Sequence, residues 1–545
     1  MTILRSRVAG VPIEAIVLVA LMLLAALTRL PGLEERGLWD ADQAHDMLVL
    51  EALVTDGEIP LLGPKTSIGT FHHGAVYYYL LAPAAFASGA DPVAVMAWIA
   101  LFGLGAVAAV WWLARLIGGP LAAAVAGLLA AVSPAGIDES TFIWNPNLIP
   151  VASALAFVGM ILARQTGRDR WWLLAGAGAM VTMQCHVLGV VIVPPLALAW
   201  AAELRRRRAV GGPLRPLVAA GAGAVAIMAA GYLPLIIHEL QSGFDETRGI
   251  LDYLAGGGRA ASNGLVERIV MVGMRSVIWP LAGLLTDRPT LSMITAVIAA
   301  GLAAVAAVAG RAPDRTAVRW LLGSLAWSIL ALAVFAPSLA VVVPGLPNDH
   351  YHAFLDPLVL ALAGVGVARL VTGWGRLPVT PTRAAGWTLT AILVAIGVVS
   401  WPPSVAEDGG WLLVDQAAAR VAAVTGDQTV ALDGIPPFKS ADALRFPLLR
   451  HDVPMLPVEI GGGGGPGGVV GPGGAAEVDG AGTGGAGMAV VVCDPLFDEV
   501  VGSPCGGQAE DAWVAENGGG EKLRLVDRFD AGPRRVISVY ETTTP

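Results

Sequence analysis

The stretch that decides the fold class is VPIEAIVLVALMLLAALTRL at residues 11–30, an almost unbroken apolar run long enough to cross a bilayer. Runs of similar length recur along about the first 400 residues. Of the 545 residues, 55% are hydrophobic and only 14% are charged, whereas soluble proteins carry charge on about a quarter of their residues. Inside lipid, the backbone polar groups of such runs are satisfied only in helices. The sequence therefore predicts an α-helical polytopic membrane protein.

The individual spans follow from these runs. Arg5 and Arg7 precede the first run as they would in a signal peptide, but no small-residue cleavage site follows it, so we expect a retained first helix. About eleven transmembrane helices are predicted in total. They lie at residues 11–30, 92–114, 119–134, 148–163, 171–186, 188–203, 216–237, 290–309, 317–341, 353–371 and 384–401.

Positive charges indicate the orientation of these helices, because Lys and Arg collect in short cytoplasmic loops. The predicted cytoplasmic connections contain Arg115, Arg164, Arg168, Arg170, Arg205–Arg208, Arg215, Arg311, Arg315, Arg319, Arg369, Arg376 and Arg383. This pattern predicts a cytoplasmic N-terminus and an extracytoplasmic position for everything after Trp401. It also requires that residues 75–87, a short apolar stretch with tyrosines at 77–79, lie at the interface instead of spanning the membrane.

The predicted architecture has two parts. A transmembrane domain at residues 1–401 carries large outer loops at 31–91 and 238–289. Residues 402–545 alternate apolar β-type runs with a helical stretch, which predicts an extracytoplasmic α/β domain. Glycine dominates residues 461–487, so that segment is predicted to be a disordered loop.

Cys493 and Cys505 both fall in the predicted extracytoplasmic domain. An oxidising compartment would let them form a disulfide, although their spacing alone leaves the pairing open.

An acidic cluster opens the first outer loop, in the sequence Leu38-Trp39-Asp40-Ala41-Asp42-Gln43-Ala44-His45-Asp46. In a helix beginning near Asp42, the spacing would put Asp42, His45 and Asp46 on one face. The alternative is a solvated helix start in which Asp40 is the N-cap and the acidic residues favour the helix dipole.

Histidines point to a polar cavity on the outer side. All eight fall on the predicted outer side, and ionisable groups at one membrane depth suggest a functional site. The adjacent His72 and His73 could bind a metal or a phosphate, or could form a polar interfacial turn. Phe142–Asn147 could contribute to the cavity, but an asparagine-capped, proline-started helix also explains this segment. The predicted cavity residues are His45, Tyr77, Asn145, His186, Glu239 and His350.

These elements, in this order, resemble the GT-C superfamily of membrane glycosyltransferases, and within it the family-39 group of protein O-mannosyltransferases and the lipid A aminoarabinose transferase. In that family the catalytic base is the Asp of an Asp-Glu pair, which corresponds here to Asp42-Gln43, with Asp40 as a nearby rival. Residues 73–77 take the place of a His- or Lys-Pro-Pro-Leu-Tyr-like motif but lack its prolines. Where members usually carry an acidic residue, this chain has Asn145 or Asn147.

The resemblance implies transfer of a sugar from a polyprenyl-phosphate donor, with inversion, on the outer face of the membrane. Asp42 would remove the acceptor's proton, and cations or donors would stabilise the departing phosphate. The candidates for that second role are His73, His72, Lys65, Arg275 and His352. The implied partners are the lipid-linked sugar, membrane lipid and an acceptor that is a protein, a glycan or a lipid, and not a nucleic acid. No cofactor is certain, and a divalent metal at His72 and His73 stays open.

Two other functions compete with this one. A transporter or lipid-linked sugar flippase would keep its ionisable residues near the membrane midplane on broken helices, whereas the polar residues here are predicted at one surface. A membrane-anchored binding protein would use the extracytoplasmic domain as its working part. The sequence favours the enzyme.

Overall fold

The computed structural model describes residues 7–8, 11–66, 71–255, 264–308, 312–341, 349–373, 379–435, 441–456, 486–493, 505–517, 522–533 and 535–543. The helices up to the end of the transmembrane region are α1 (Ile13–Arg29), α2 (Leu33–Arg36), α3 (Ala41–Thr55), α4 (Val76–Ser88), α5 (Pro92–Ala131), α6 (Pro134–Asp138), α7 (Ile149–Thr166), α8 (Trp171–Cys185), α9 (Val193–Ala209), α10 (Arg215–Gly231), α11 (Leu233–Ser242), α12 (Asp245–Ala255), α13 (Leu265–Ala282), α14 (Pro289–Val308), α15 (Ala312–Phe335), α16 (Asp356–Thr372) and α17 (Val379–Val399). Short 3₁₀ helices lie at Asn145–Leu148, Val187–Ile192, Pro337–Ala340 and Asp349–Leu355.

The remaining elements are short strands near the N-terminus and the mixed elements of the tail. The helices of the tail are α18 (Gly410–Thr425), α19 (Asp442–Arg450) and α20 (Gln508–Asn517). The strands are β1 (Arg7–Val8), β2 (Val11–Pro12), β3 (Leu62–Lys65), β4 (His72–Gly74), β5 (Val430–Ile435), β6 (Met488–Cys493), β7 (Lys522–Gly532) and β8 (Arg535–Thr543).

The predicted helical polytopic membrane fold is confirmed. Among the described residues, seven helices are long and apolar enough to cross a membrane, and α10 with α11 forms a further pair bent by 47°. Each of the predicted spans coincides with a described helix. The helices α1 and α8, with 17 and 15 residues, are shorter than the usual span. The count of about eleven therefore stays a prediction.

Helix α5 joins two of the predicted spans and breaks between them. Gly119 has a φ of 78° and a ψ of −171°, outside the helical region, and Pro120 follows it. Glycine tolerates this conformation because it has no Cβ, and proline cannot donate the next helical hydrogen bond. The break lies at the boundary expected between the spans at 92–114 and 119–134.

Helix α16 lies at the centre of the transmembrane region and is buried along almost its whole length. Two of its glycines let neighbouring helices approach closely, because a Cβ at Gly364 would collide with Ala122 of α5 and one at Gly366 with Leu302 of α14. Small residues at such crossings are the usual means of close helix packing in lipid. Because the 3₁₀ helix at Asp349–Leu355 runs directly into α16, this packing also fixes the polar residues of that turn.

The tail has the predicted α/β composition. Its four-stranded sheet has the order β5-β6-β8-β7, in which β5 and β6 are parallel and the other two pairs are antiparallel. Strand β6 is buried at every residue, as expected for a strand covered on both faces. Cys493 at its end forms a disulfide with Cys505. The predicted glycine-rich loop lies outside the described residues except for its last two positions.

Candidate functional site

Helix α3 carries the acidic cluster of residues 40–46, and Asp40 caps it. The Asp40 carboxylate accepts hydrogen bonds from the Ala41 amide, at 2.8 Å, and from the Gln43 amide. The Asp40 amide donates to Gln43 Oε1 at 2.8 Å, which completes a capping box. Gln43 Nε2 also donates to the Ile143 carbonyl at 3.0 Å. Asp40 and Gln43 therefore have structural roles, and Asp42 is the exposed carboxylate of the first turn.

Asp46 lies one turn from Asp42 on α3, as the spacing predicts, but it is not exposed as Asp42 and His45 are. It is buried, and its two carboxylate oxygens accept hydrogen bonds from Tyr77 and Tyr78 of α4, each at 2.8 Å. Burial raises the pKa of Asp46 to about 8, against the lowering effect of the two hydroxyl donors. Tyr77 is fully buried in this contact, so its predicted place at the cavity surface is wrong. The local spacing could not show this, since the partner helix decides which side is buried.

A short hairpin of β3 and β4 precedes the tyrosine helix and turns the two adjacent histidines in opposite directions. Lys65 and His72 are paired across the two strands. The amide and the Nδ1 atom of His72 both lie 2.6 Å from carboxylate oxygens of Glu246 in α12. His73 points inward, where its Nδ1 accepts a hydrogen bond from the Val187 amide at 3.3 Å.

The environment of His73 keeps its ring neutral. Burial, together with the neighbouring His72, lowers the pKa of His73 to about 3. Because Nδ1 is an acceptor, the proton of the neutral ring is assigned to Nε2, which is then a hydrogen-bond donor. His73 can therefore offer a neutral donor, but no positive charge, to an anion.

A row of aromatic rings connects the first outer loop to the start of α16. The His73 ring lies 4.8 Å from His186, and His186 lies 4.8 Å from Tyr351. Tyr351 in turn lies 4.0 Å from His350, which lies 4.0 Å from Trp144. The structure thus brings together three of the histidines that were predicted to line the cavity or to bind the phosphate, namely His73, His186 and His350. They are far apart in sequence. Trp144 and Tyr351 complete the row, and sequence reasoning missed both.

Behind this row, Arg275 of α13 is already engaged by an acid. Its Nε and Nη2 atoms donate to the two oxygens of Asp349 at 2.9 and 2.6 Å, and Nη1 donates to the Leu339 carbonyl. His352 Nε2 lies 3.4 Å from Asp349. A phosphate could bind Arg275 only if it displaced Asp349 or shared the guanidinium with it.

Two further predicted cavity residues have structural partners. The Asn145 side chain donates to the Cys185 carbonyl at the end of α8, and it is buried. Glu239 accepts a hydrogen bond from the Thr247 amide at 2.8 Å and helps to hold the connection between α11 and α12. Neither contact was visible from the sequence, because each joins segments that have no shared pattern.

One group of side chains could hold a divalent cation. A ligand atom of each of His238, Asp245 and Glu246 lies within 4.8 Å of the others, and Glu246 also contacts His72. Imidazole and carboxylate ligands suit zinc and related metals. The predicted pair of His72 and His73 is thus divided, because His73 faces the ring row instead.

The charge of Asp42 acts on His45 of the same helix and on His73 of the hairpin. His73 and His350 also interact electrostatically. Asp42 is therefore coupled by charge to the first ring of the row.

Comparisons with known proteins bear on the fold that carries these residues. Residues 72–232 match the family model described as dolichyl-phosphate-mannose-protein mannosyltransferase. The crystal structure of ArnT from Cupriavidus metallidurans in the apo state is similar with a TM-score of 0.57 and 15% identity, over 96% of this chain and 97% of that one. The chain has the GT-C fold.

The same ArnT bound to undecaprenyl phosphate gives a TM-score of 0.55 at 13% identity, over 96% of this chain and 97% of that one. An Archaeoglobus fulgidus oligosaccharyltransferase tethered with an acceptor peptide gives 0.45 at 14%, over 81% of this chain and 63% of that one. No curated protein sequence matches the chain. The family model begins at His72 and ends before Glu239, so strand β4 and the first two rings of the row lie inside the match, and strand β3 and Asp42 lie outside it.

Proposed function

We propose that this GT-C protein transfers a sugar from a polyprenyl-phosphate donor to an acceptor hydroxyl on the outer face of the membrane. The observation that carries the proposal is the exposed Asp42 carboxylate on the first turn of a well-anchored helix, whose charge acts on His73, the first ring of the row. The family description names a dolichyl-phosphate sugar, and the similar ArnT structure holds undecaprenyl phosphate. Both facts support a lipid-phosphate donor.

The proposed chemistry is a single displacement. The acceptor oxygen attacks the anomeric carbon on the face opposite the phosphate, while Asp42 takes the hydroxyl proton. The bond between the anomeric carbon and the phosphate oxygen breaks, and the polyprenyl phosphate leaves with its electron pair. One displacement inverts the configuration at that carbon.

The leaving phosphate gains negative charge during this step, so groups that interact with it more strongly at that stage accelerate transfer. We assign this role to His73 Nε2, as a neutral donor, together with Lys65 and His72 at the hairpin. Arg275 and His352 lie deeper and take part through Asp349, which now engages the guanidinium.

A second candidate function is a flippase for lipid-linked sugars. The 47° bend between α10 and α11 favours it, because transporters place binding sites at broken helices. The exposed Asp42 carboxylate and the ring row favour the transferase, since a carrier does not need a catalytic base.

The two functions give different products in one assay. Purified protein in liposomes is supplied with a panel of polyprenyl-phosphate-linked radiolabelled sugars and with cell-envelope protein, glycan and lipid fractions as acceptors. The transferase releases free polyprenyl phosphate and labels one fraction, and the anomeric configuration of the product reports inversion. Intact donor throughout the panel, together with donor movement between leaflets, would refute the transferase and support the flippase.

A further inference from the structure

Trp39, directly before the cap of α3, is held by the tail. Its indole is fully buried. The ring lies 4.5 Å from that of Trp411 in α18 and 6.0 Å from that of Phe446 in α19. Both neighbours follow Trp39 by several hundred residues, so the tail folds back onto the first outer loop and closes an aromatic pocket around this one side chain.

All three hydrogen-bonding groups of Trp39 are satisfied by residues of the tail. Its backbone amide donates to Asp408 Oδ2 at 2.7 Å, and its carbonyl accepts from Arg535 Nη2 at 2.9 Å. Its indole Nε1 donates to the Ala443 carbonyl at 2.8 Å. Buried polar groups need such partners, and here each partner also fixes a different direction in space.

The two charged partners are themselves well fixed. Asp408 is buried, and its second oxygen accepts from the Gly410 amide at 3.0 Å. Arg535, the first residue of β8, is only 2% exposed and lies 3.9 Å from Asp408. The same part of the tail donates a hydrogen bond from the Ala406 amide to the Glu35 carbonyl at 2.7 Å. The tail therefore contacts the first loop at several positions and not at a single one.

Trp39 is followed by the cap Asp40 and then by Asp42 on the first turn of α3. A change in the position of Trp39 would move the cap and, with it, the carboxylate two residues further on. We propose that the tail positions the base: Arg535 and Asp408 fasten the start of α3 and thereby fix the direction of Asp42. The fastening stands on the contacts alone, and only its catalytic consequence rests on the proposed function.

A positioning role differs from general stabilisation of the tail. Removing one positioning contact should loosen the start of α3 while the sheet of the tail stays intact. It should lower kcat more than it raises the KM for the donor, because small displacements of a catalytic group mainly affect the chemical step. If Arg535 had a purely structural role, its substitution would first loosen the tail. Exchange in α3 would then rise no more than in other variants of similar stability.

The test compares Arg535→Gln with Arg420→Gln in the full-length protein in nanodiscs. Arg420 is the control, since its two-fold contact with Asp527, with both distances 2.8 Å, lies inside the tail, although it is more exposed than Arg535. Hydrogen exchange is measured on peptides covering residues 38–48 and on peptides of β6 and β8. We expect faster exchange at 38–48 in Arg535→Gln only, with the sheet protected in both variants.

Trp39→Phe gives a second variant, because it keeps an aromatic ring and both backbone contacts but removes the bond to Ala443 and part of the buried ring. It should show the same change at 38–48, and Arg535→Lys should restore part of the protection because it keeps the positive charge near Asp408. Unchanged exchange at 38–48 in both Arg535→Gln and Trp39→Phe would overturn the proposal. An equal change in Arg420→Gln would overturn it as well.

Turnover is then measured with a donor that is active in the panel described above. We expect kcat of Arg535→Gln to fall by ~10-fold or more with little change in KM, consistent with misplacement of a catalytic group. Exchange that rises at 38–48 with no loss of kcat would overturn the positioning of the base. Because the exchange measurement needs no substrate, failure of the fastening and failure of the proposed transferase function are distinguishable.

Discussion

The carboxylate of Asp46 accepts a 2.8 Å hydrogen bond from the hydroxyl of Tyr77, and both residues are buried. This bond joins α3, which carries Asp42, to α4, the short tyrosine helix. The start of α3 is fastened by the tail through Trp39, and its middle is fastened by α4. The exposed Asp42 therefore projects from a helix that is held on two sides.

This relationship predicts a measurable loss of stability in Tyr77→Phe. The substitution keeps the packing of the ring but leaves one buried oxygen of Asp46 without its donor, which costs about 1–3 kcal/mol. The thermal midpoint in detergent should fall. Tyr79→Phe is the matched control, because the Tyr79 hydroxyl donates to the Pro60 carbonyl at 2.6 Å at a partly exposed position. Equal shifts in the two variants would show that the buried contact has no special weight.

The base is tested with Asp42 of α3 and with the two aspartates that cap this helix. Asp42→Asn should reduce transfer by about 10²–10⁴-fold, since the amide keeps the shape but cannot accept the proton. Asp40→Asn should affect transfer less, because asparagine is also a good N-cap. Asp56→Asn, at the exposed C-terminal end of α3, is the control and should retain activity. Full activity in Asp42→Asn with loss in Asp40→Asn would move the base to Asp40.

Sequence reasoning was sufficient where a local pattern has one physical solution. Apolar runs predicted the membrane helices because the bilayer leaves the backbone no other choice. Asp40 was identified as a possible N-cap from its place before the helix. The break at Gly119 and Pro120 separates two spans because these residues cannot continue a helix.

The site itself depends on partners that no local pattern reveals. Glu246 reaches His72 across 174 residues, and Arg535 reaches Trp39 across 496. Helical spacing puts Asp46 beside Asp42, but only the fold shows that the tyrosines of α4 bury Asp46 while Asp42 stays exposed. Arg275 was identified as a cation, yet its engagement by Asp349 needed the fold.

The neutral state of His73 predicts how stability depends on pH. Burial lowers its pKa from 6.5 to about 3 in the folded protein. Between these values the unfolded chain binds a proton that the folded protein does not, so stability is lost as the pH falls from about 6.5 towards 3. His73→Asn keeps an acceptor for the Val187 amide and does not titrate. Thermal midpoints of both proteins measured from neutral to acidic pH should diverge, with the wild type losing more. Parallel curves would show that burial does not keep the His73 ring neutral.

The orientation in the membrane is tested with reporters. A reporter that is active only outside the cytoplasm should be active when fused after Trp401 and inactive when fused after Arg208. A reporter that is active only in the cytoplasm should give the opposite result. The reason is the arginine-rich end of α9, which the positive-inside rule places in the cytoplasm. If both fusions report the same side, the short helix α4 or another segment spans the membrane and the predicted parity is wrong.

The last prediction concerns Arg275, whose guanidinium donates hydrogen bonds to Asp349. Removing the arginine alone would leave a buried carboxylate without its partner, which costs about 3–5 kcal/mol, and folding would obscure any effect on the phosphate. The double variant Arg275→Gln/Asp349→Asn removes both charges and keeps hydrogen-bonding groups in place. Its thermal midpoint should lie closer to the wild type than that of Arg275→Gln.

In the sugar donor the phosphate is a diester, and it gains charge as the bond to the sugar breaks. Arg275 competes better against Asp349 for the more highly charged product, because charge-assisted bidentate contacts strengthen with that charge. The double variant should therefore bind undecaprenyl phosphate more weakly and lower kcat, while the KM for the donor stays close to the wild-type value. Isothermal titration with undecaprenyl phosphate and steady-state kinetics measure the two effects. Unchanged affinity and kcat in a folded double variant would assign Arg275 to holding Asp349 alone, and the phosphate would then be bound by the hairpin residues Lys65, His72 and His73.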